Sequence, residues 1–296
     1  MDIRLQSFLK VWELKSFTKA AQNLNLTQPA VSQHIKSLEK EYNSRFLNYK
    51  GKDLILTDSG KILLEYANKI KLSEIFFIEN IKQSSSKIKS IKFGATLTIG
   101  EFTLESILFE MFRNFDNYNL EIYVENTKKN LEMLEKGEIH FSLVEGLFDK
   151  TKYYFKVLKN EKFILTVSKD HNLATKSNIR IEDILNETLI IREKGSGSRE
   201  ILERALVDKN FNLKNFSQKI EISNVNLIKS LVKSNLGISF MYKDAAKKEI
   251  DAGELIEVKV EDFTIEKEFN FIYMDDELYI KELIYFYEFL KQNMIT

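Results

Sequence analysis

Gln28, Ser32, Gln33 and Lys36 stand at helical spacing on one side of a segment whose apolar residues, Ala30, Val31, Ile35 and Leu38, recur on the other. A carboxamide can bond the N6/N7 edge of adenine, a hydroxyl can take a base or a phosphate, and an ammonium can neutralise a phosphate. The chemistry open to that face is the reading of a DNA groove. A second set of polar residues lies far along the chain. Thr96 and Thr98, and Gly195-Ser196-Gly197-Ser198-Arg199, each follow a strand pattern and precede a helix pattern. Hydroxyls and free backbone NH groups at two facing helix N-termini make a trap for a small anion. Thr98 and Ser198 read equally as plain helix caps, as does Asn224. Arg199 reads equally as the partner of a structural ion pair.

The elements that hold the first face form a helix-turn-helix. Phe17 to Leu24 is a short helix with small residues at Ala20 and Ala21, which lets a second helix cross closely. Asn25-Leu26-Thr27 is the turn. Thr27 is placed to cap the second helix, and Pro29, the only proline, is tolerated in its first turn. A first helix is expected over 3–14, with Ile3, Phe8, Val11 and Trp12 among its apolar residues. Tyr49-Lys50-Gly51-Lys52-Asp53 reads as a hairpin turn that brings Lys50 and Lys52 to phosphates, or as a solvated turn. From Asp58 to about Gln83 a long helix is expected. Leu63, Ile70 and Phe77 lie seven apart with Tyr66, Ala67 and Ile81 beside them, a short seam of heptad type. The run from Gln83 through three serines to Lys87 reads as a hinge.

Composition removes several classes of function. The 296-residue chain has no cysteine and three scattered histidines, so disulfides, thiolate metal sites and thiol redox chemistry are excluded, and no metal-ligand spacing appears. No catalytic group is identified: Gly195-Ser196-Gly197-Ser198 lacks the Gly-Lys-Ser/Thr ending of a phosphate loop, and there is no Gly-x-Ser-x-Gly elbow. The Asp275-Asp276 pair reads as part of a solvated turn. No cofactor is expected. No apolar run is long enough for a membrane helix, and Met1 to Gln6 does not open a secretory signal, so a cytoplasmic protein is expected. The net charge of zero conceals a division: residues 1–90 carry 15 Lys and Arg against 9 Asp and Glu, and the rest carry 29 against 35. A basic N-terminal part on an acidic body fits attraction to phosphates at one end.

Beyond residue 90 the texture alternates. Strands are expected at 91–95, 120–124, 139–144, 163–167, 189–191, 218–222 and 237–240, with helices near 101–115 and 128–136 and from about 198. Such alternation implies an α/β fold with largely parallel sheets and ligands beyond the carboxyl ends of strands.

The segment from Phe17 to Leu38, with Leu38-Glu39-Lys40-Glu41-Tyr42, Phe46-Leu47 and Leu56-Thr57-Asp58-Ser59-Gly60 behind it, resembles the DNA-binding domain of LysR-type transcriptional regulators. Residues 91–296 resemble the effector domain of that family, most closely at 134–146, 192–199 and 232–239. The resemblance covers essentially the whole chain. It implies a winged helix-turn-helix domain over 1–58, a linker helix and hinge over 59–90, and a two-lobed effector domain over 91–296 of the type 2 periplasmic-binding-protein kind. Lobe one would be 91–161 plus 268–296, lobe two 162–267, joined by two crossing strands. It implies that Thr27, Gln28, Pro29, Ser32, Gln33, Lys36, Lys50 and Lys52 meet DNA. It also implies that Thr96, Thr98, Asn126, Thr127, Ser196, Gly197, Ser198 and Arg199 line the effector pocket, with Glu145 and Gly146 ending a strand close by. Glu145 is at odds with an anion pocket and either faces away or binds an amine on the ligand. The family often has arginine where Gln33 and Tyr49 stand, and glycine where Asn43 stands. Asn43 can supply the same left-handed turn.

The expected function is sequence-specific regulation of transcription, answering to a small anionic effector between the lobes. Segments 144–146 and 192–199 look most like family members linked to sulfur or other small-anion metabolism. The expected partners are an inverted-repeat promoter duplex, a second copy paired through the linker helix, a dimer of such dimers, and RNA polymerase. A solute-binding protein with a helical dimerisation cap, and an enzyme on an α/β scaffold, are the rival readings.

Overall fold

The computed structural model describes residues 1–83, 88–261, 263–274 and 279–294. The serine run expected as a hinge and the Asp275-Asp276 pair lie outside them. The chain divides into two compact units, Met1–Ser85 and Ser86–Thr296.

In the first unit each short helix begins at a side-chain cap. Asp2 opens α1 (Ile3–Leu14), Ser16 opens α2 (Phe17–Asn23), and Thr27 opens α3 (Gln28–Glu41), its hydroxyl accepting from Ala30 N at 3.3 Å. The turns on either side of α3 use asparagine in the left-handed region, Asn25 at φ 54° and Asn43 at φ 45°. Ala20 and Ala21 are buried with Phe8, Val11, Val31, Ile35 and Leu38, so α2 crosses α3 on small side chains. β1 (Leu47–Lys50) and β2 (Asp53–Leu56) form an antiparallel hairpin. α4 (Asp58–Gln83) starts against it at Gly60, where a Cβ would lie 2.1 Å from the Phe46 carbonyl oxygen. The seam expected along α4 divides in two. Leu63, Ala67 and Ile70 close the core of this unit, whereas Ile62, Tyr66, Phe77, Ile78 and Ile81 are exposed. The first stretch of α4 belongs to the packing of the helix-turn-helix because a three-helix core this small needs a fourth wall.

The second unit is built on a seven-stranded sheet. β3 (Lys89–Ala95) lies between β4 (Tyr118–Val124) and β5 (Phe141–Glu145), all parallel. α5 (Leu108–Asn114) and α6 (Thr127–Glu135) make the crossovers. β6 (Tyr154–Ser168) leaves this lobe and enters the other, where α7 (Ile181–Ile184), β7 (Thr188–Ile191), α8 (Gly197–Asp208), β8 (Gln218–Glu221), α9 (Val225–Lys233), β9 (Ser239–Tyr242), α10 (Lys243–Asp251) and β10 (Leu255–Val258) follow. β11 (Ile265–Tyr273) returns, and α11 (Ile280–Met294) ends the described chain. The order β10-β6-β11-β5-β3-β4, with β9 also on β6, makes the long β6 and β11 common to both lobes. β7 and β8 pair in parallel as a small second sheet.

Two expectations change. The main sheet is mixed rather than largely parallel: β11 runs antiparallel to β5 and β6, and β9 and β10 run antiparallel to β6. A strand that crosses between lobes and one that crosses back must oppose each other. The helix expected over 101–115 is broken into a π-helical turn (Ile99–Thr103), a 3-10 turn (Leu104–Ser106) and α5. Gly100 packs so tightly on Val124 that a Cβ would meet its Cγ1 at 2.7 Å, and Thr103 donates to Asp244 at 3.0 Å. Those long-range contacts set the path of the chain there. The core of the first lobe is aromatic, with Phe141 stacked between Phe93 at 4.8 Å and Phe271 at 4.4 Å.

Candidate functional site

Two sets of side chains stand out, one in each unit. On α3, Gln28, Pro29, Gln33 and Lys36 are exposed, Ser32 is half-buried, and Val31, Ile35 and Leu38 face the core. Gln28 Nε2 donates to Ser32 Oγ at 3.0 Å, so the two residues nearest the helix start hold each other on one surface. Thr27 is exposed as the cap. Lys50 and Lys52 are exposed at the tip of the hairpin, and so is Tyr49. Arg45, exposed just before β1, is a cation that spacing alone did not single out. Arg4 is not available in the same way, because Asp2 and Glu41 hold its guanidinium, each at 2.6 Å.

In the second unit the residues expected at the strand ends come together across two lobes. Thr96, Thr98, Thr127, Glu145, Ser196 and Ser198 are all buried. Thr127 Oγ1 bonds the Glu145 carbonyl oxygen at 3.3 Å and accepts from Gly197 N at 3.2 Å. Gly197 presses on the end of β5: a Cβ there would meet the Glu145 carbonyl oxygen at 2.5 Å. Gly146 has φ 107° and would clash with Gly197 Cα in the same way, so both positions require glycine. Asn126 caps α6 and reaches Glu193 across the cleft at 3.4 Å. A second crossing contact lies at the π-helical turn, where Asn226 donates to Glu101 at 3.2 Å and Lys229 lies 4.3 Å over the Phe102 ring.

The hydroxyls of Thr98 and Ser198 do not serve as helix caps. Thr98 has helical φ and ψ and makes no cap bond, Ser196 rather than Ser198 stands at the start of α8, and Asn224 does cap α9. Arg199 takes the structural ion-pair role that its sequence position allowed equally. Its guanidinium is turned to Glu203 at 2.8 Å and Glu221 at 2.6 Å, which satisfies it within its own lobe. The buried guanidinium near the cleft belongs to Arg192, which pairs with Glu193 at 2.8 Å.

Glu145 is the unusual group. Burial pushes its carboxyl up to about 8, against the opposing pull of Arg192 and a hydrogen bond from Thr98, and its Oε2 has no hydrogen-bond partner. Tyr242, on the same face through Phe269, is also buried with an unbonded hydroxyl, and burial followed by the charges of Glu145 and Glu161 raises it well above its ordinary value. Burial likewise raises Glu101, against Arg192 and Lys229. Glu145 carried a weak signal in the sequence, as an acid at the end of an apolar strand. Arg192 and Tyr242 carried none, because only the tertiary fold brings them beside it. An open groove of about 500 Å³ lies elsewhere, between Gly146, Phe148, Lys150, Asn160, Glu268 and Asn270, and the pleat turns Asn270 to the opposite face from Glu145. Among the described residues no cluster of His, Asp and Glu is arranged to hold a metal, and no helix is long and apolar enough to cross a membrane.

Comparison with known proteins divides the chain in the same two parts. Residues 4–61 match the bacterial regulatory helix-turn-helix protein, lysR family, and residues 85–295 match the LysR substrate binding domain. An uncharacterised HTH-type transcriptional regulator of Methanocaldococcus jannaschii is 32% identical over 263 residues, 88% of each chain. The HTH-type transcriptional regulator CysL of Bacillus subtilis is 29% identical over 274 residues, 91% of this chain and 89% of its own. Among solved structures, a Corynebacterium glutamicum OxyR C206 mutant superposes with a TM-score of 0.62 at 20% identity, over 99% of this chain and 91% of that one. That likeness concerns the fold alone.

Proposed function

The chain belongs to the LysR family of transcriptional regulators, with a helix-turn-helix and a substrate-binding domain and no enzymatic role, and from that premise we propose how its residues divide the work. The winged helix-turn-helix over 1–58 reads an inverted repeat, with Thr27, Gln28, Pro29, Ser32, Gln33 and Lys36 at the groove and Lys50 and Lys52 on phosphates. The linker over 59–90 pairs two copies through the exposed apolar residues of α4, Ile62, Tyr66 and Phe77, which fall toward one side at the helical period. Two such dimers bend the DNA and present it to RNA polymerase in the cytoplasm. The domain over 91–296 holds a small effector with an anionic group between its lobes, against Thr96, Thr98, Asn126, Thr127, Glu145, Ser196, Gly197 and Ser198.

The single observation that supports this reading is the separation of the two polar sets. One lies exposed on a capped helix of a basic unit, and the other is buried where two lobes meet. A ligand that binds one lobe arrangement better than another shifts the population between them, and so the spacing of the DNA-binding pairs. The test is a footprint on the DNA upstream of the gene, taken across salt concentrations with a panel of small anions. A protected inverted repeat that weakens steeply with salt and changes length with one compound supports the reading. No protection at any salt would refute it and favour a free-standing solute binder.

A further inference from the structure

Resting on the cleft reading above, we propose that Glu145 is the seat of an ammonium group, and that the effector is a zwitterion of the amino-acid type whose carboxylate faces Arg192 and the start of α8.

The argument begins from what Glu145 lacks. Its side chain is 2% exposed and Oε2 accepts nothing, although buried polar groups are almost always bonded. Among the described residues no cation forms an ion pair with it. Arg192 holds Glu193 through Nε at 2.8 Å and Nη2 at 3.1 Å. Lys159 lies between Glu161, at 3.0 Å, and Asp244. Lys229 holds Glu249 at 2.9 Å. Arg192, Lys159 and Lys229 are each matched to an acid, while Glu101 and Glu145 add two more acids without an ion-pair partner among the described residues. A simple anion brought to this end would meet surplus negative charge.

An ammonium group fits what is there. It brings three N–H donors and no acceptor. The unbonded Glu145 Oε2 and the unbonded Tyr242 hydroxyl are two acceptors buried on one face of the β5–β11 pair. The other arm of the ligand has separate provision. Ser196, at the start of the twelve-residue α8, makes no cap bond, and that helix end carries partial positive charge beside the buried Arg192. As the ammonium docks, the Glu145 carboxyl releases its proton to solvent, and a neutral acid becomes one half of a buried ion pair.

The test uses the full chain on a duplex carrying its upstream region. The probes are single L-amino acids, each beside the 2-hydroxy acid that lacks its amine and the amine that lacks its carboxylate, with sulfate and phosphate as plain anions. One amino acid is expected to change the footprint and raise the melting temperature. Its 2-hydroxy acid should bind at least about 30-fold more weakly, as removal of a charge-assisted bond predicts. Glu145→Gln, an isosteric change, should weaken the amino-acid response by a similar factor, and calorimetry near neutral pH should show proton release on binding to the parent but not to the variant. The proposal is overturned if no amino acid produces a response, or if the responding compound is an amine-free anion whose effect survives Glu145→Gln. A response that survives both Thr98→Ala and Ser198→Ala would instead sink the cleft reading itself.

Discussion

α3 and the interlobe cleft are both polar sites, but they are built in opposite ways. On α3 the working side chains stand largely in water, organised by the Gln28–Ser32 bond and the Thr27 cap, and the helix behind them is an ordinary amphipathic one. In the cleft the working side chains are buried by a second lobe, and a carboxyl is kept in a place that does not suit its charge. The difference teaches where stability is given up for function. A DNA-reading face need not destabilise its own fold, since its partner supplies charges from outside. A ligand cleft that closes must bury groups before the ligand arrives, and those groups cost free energy until it does.

That comparison can be broken by four measurements. The largest effect is expected at Glu145. Its carboxyl loses its proton near 4.5 in an unfolded chain and at about 8 in the folded one, so between those values the folded state binds more protons. Folding stability therefore falls as pH rises across that window and is flat above it. Glu145→Gln removes the penalty. At pH 7 it should stabilise the unliganded protein by about 3 kcal/mol, with the gain shrinking toward pH 4.5. Denaturant midpoints of parent and variant across pH check this, and a variant less stable than the parent at neutral pH would mean the carboxyl is structural. Next comes the pair Gln28→Ala and Ser32→Ala. Loss of base contacts should lower the ratio of operator to random-duplex affinity about 10- to 100-fold, read by competition binding. An unchanged ratio would remove both residues as readers.

A smaller effect is expected from Thr98→Ala with Ser198→Ala. Losing two neutral hydroxyls should weaken ligand binding about tenfold while DNA affinity without ligand stays within about twofold. Equal loss of both functions would tie the cleft to folding rather than to a ligand. The smallest sharpens the DNA side. Lys50→Ala with Lys52→Ala should reduce the slope of log affinity against log salt by about two, with similar weakening on every sequence. A sequence-dependent loss would move these lysines from phosphates to bases.

The two regions also differed in how far the sequence disclosed them. The helix-turn-helix was legible because its signals are local. Thr27 as a cap, Pro29 in a first turn, Ala20 and Ala21 at a crossing and Asn43 in the left-handed region each act within a few residues, and each is found so. The α/β alternation was legible for the same reason. What long-range contact decides was not. The seam on α4 looked continuous, yet packing draws Leu63 and Ala67 inward and leaves Phe77 out. The helix over 101–115 looked regular, yet Gly100 against Val124 and Thr103 on Asp244 break its start. In the cleft, Arg199 read equally as a ligand-facing cation and as a structural ion-pair partner, and Arg192 was overlooked. Only the fold turns one to Glu203 and Glu221 and buries the other near Glu145.

The central claim is that reading DNA and answering a ligand reside in separate sets of residues on one chain. The most direct test is one footprint gel of the upstream DNA, at fixed salt without ligand, comparing the parent with Gln28→Ala/Ser32→Ala and with Thr98→Ala/Ser198→Ala. The account predicts that the α3 variant loses the protected inverted repeat while the cleft variant protects the same bases as the parent. Loss of protection in the cleft variant, or full protection by the α3 variant, would contradict it.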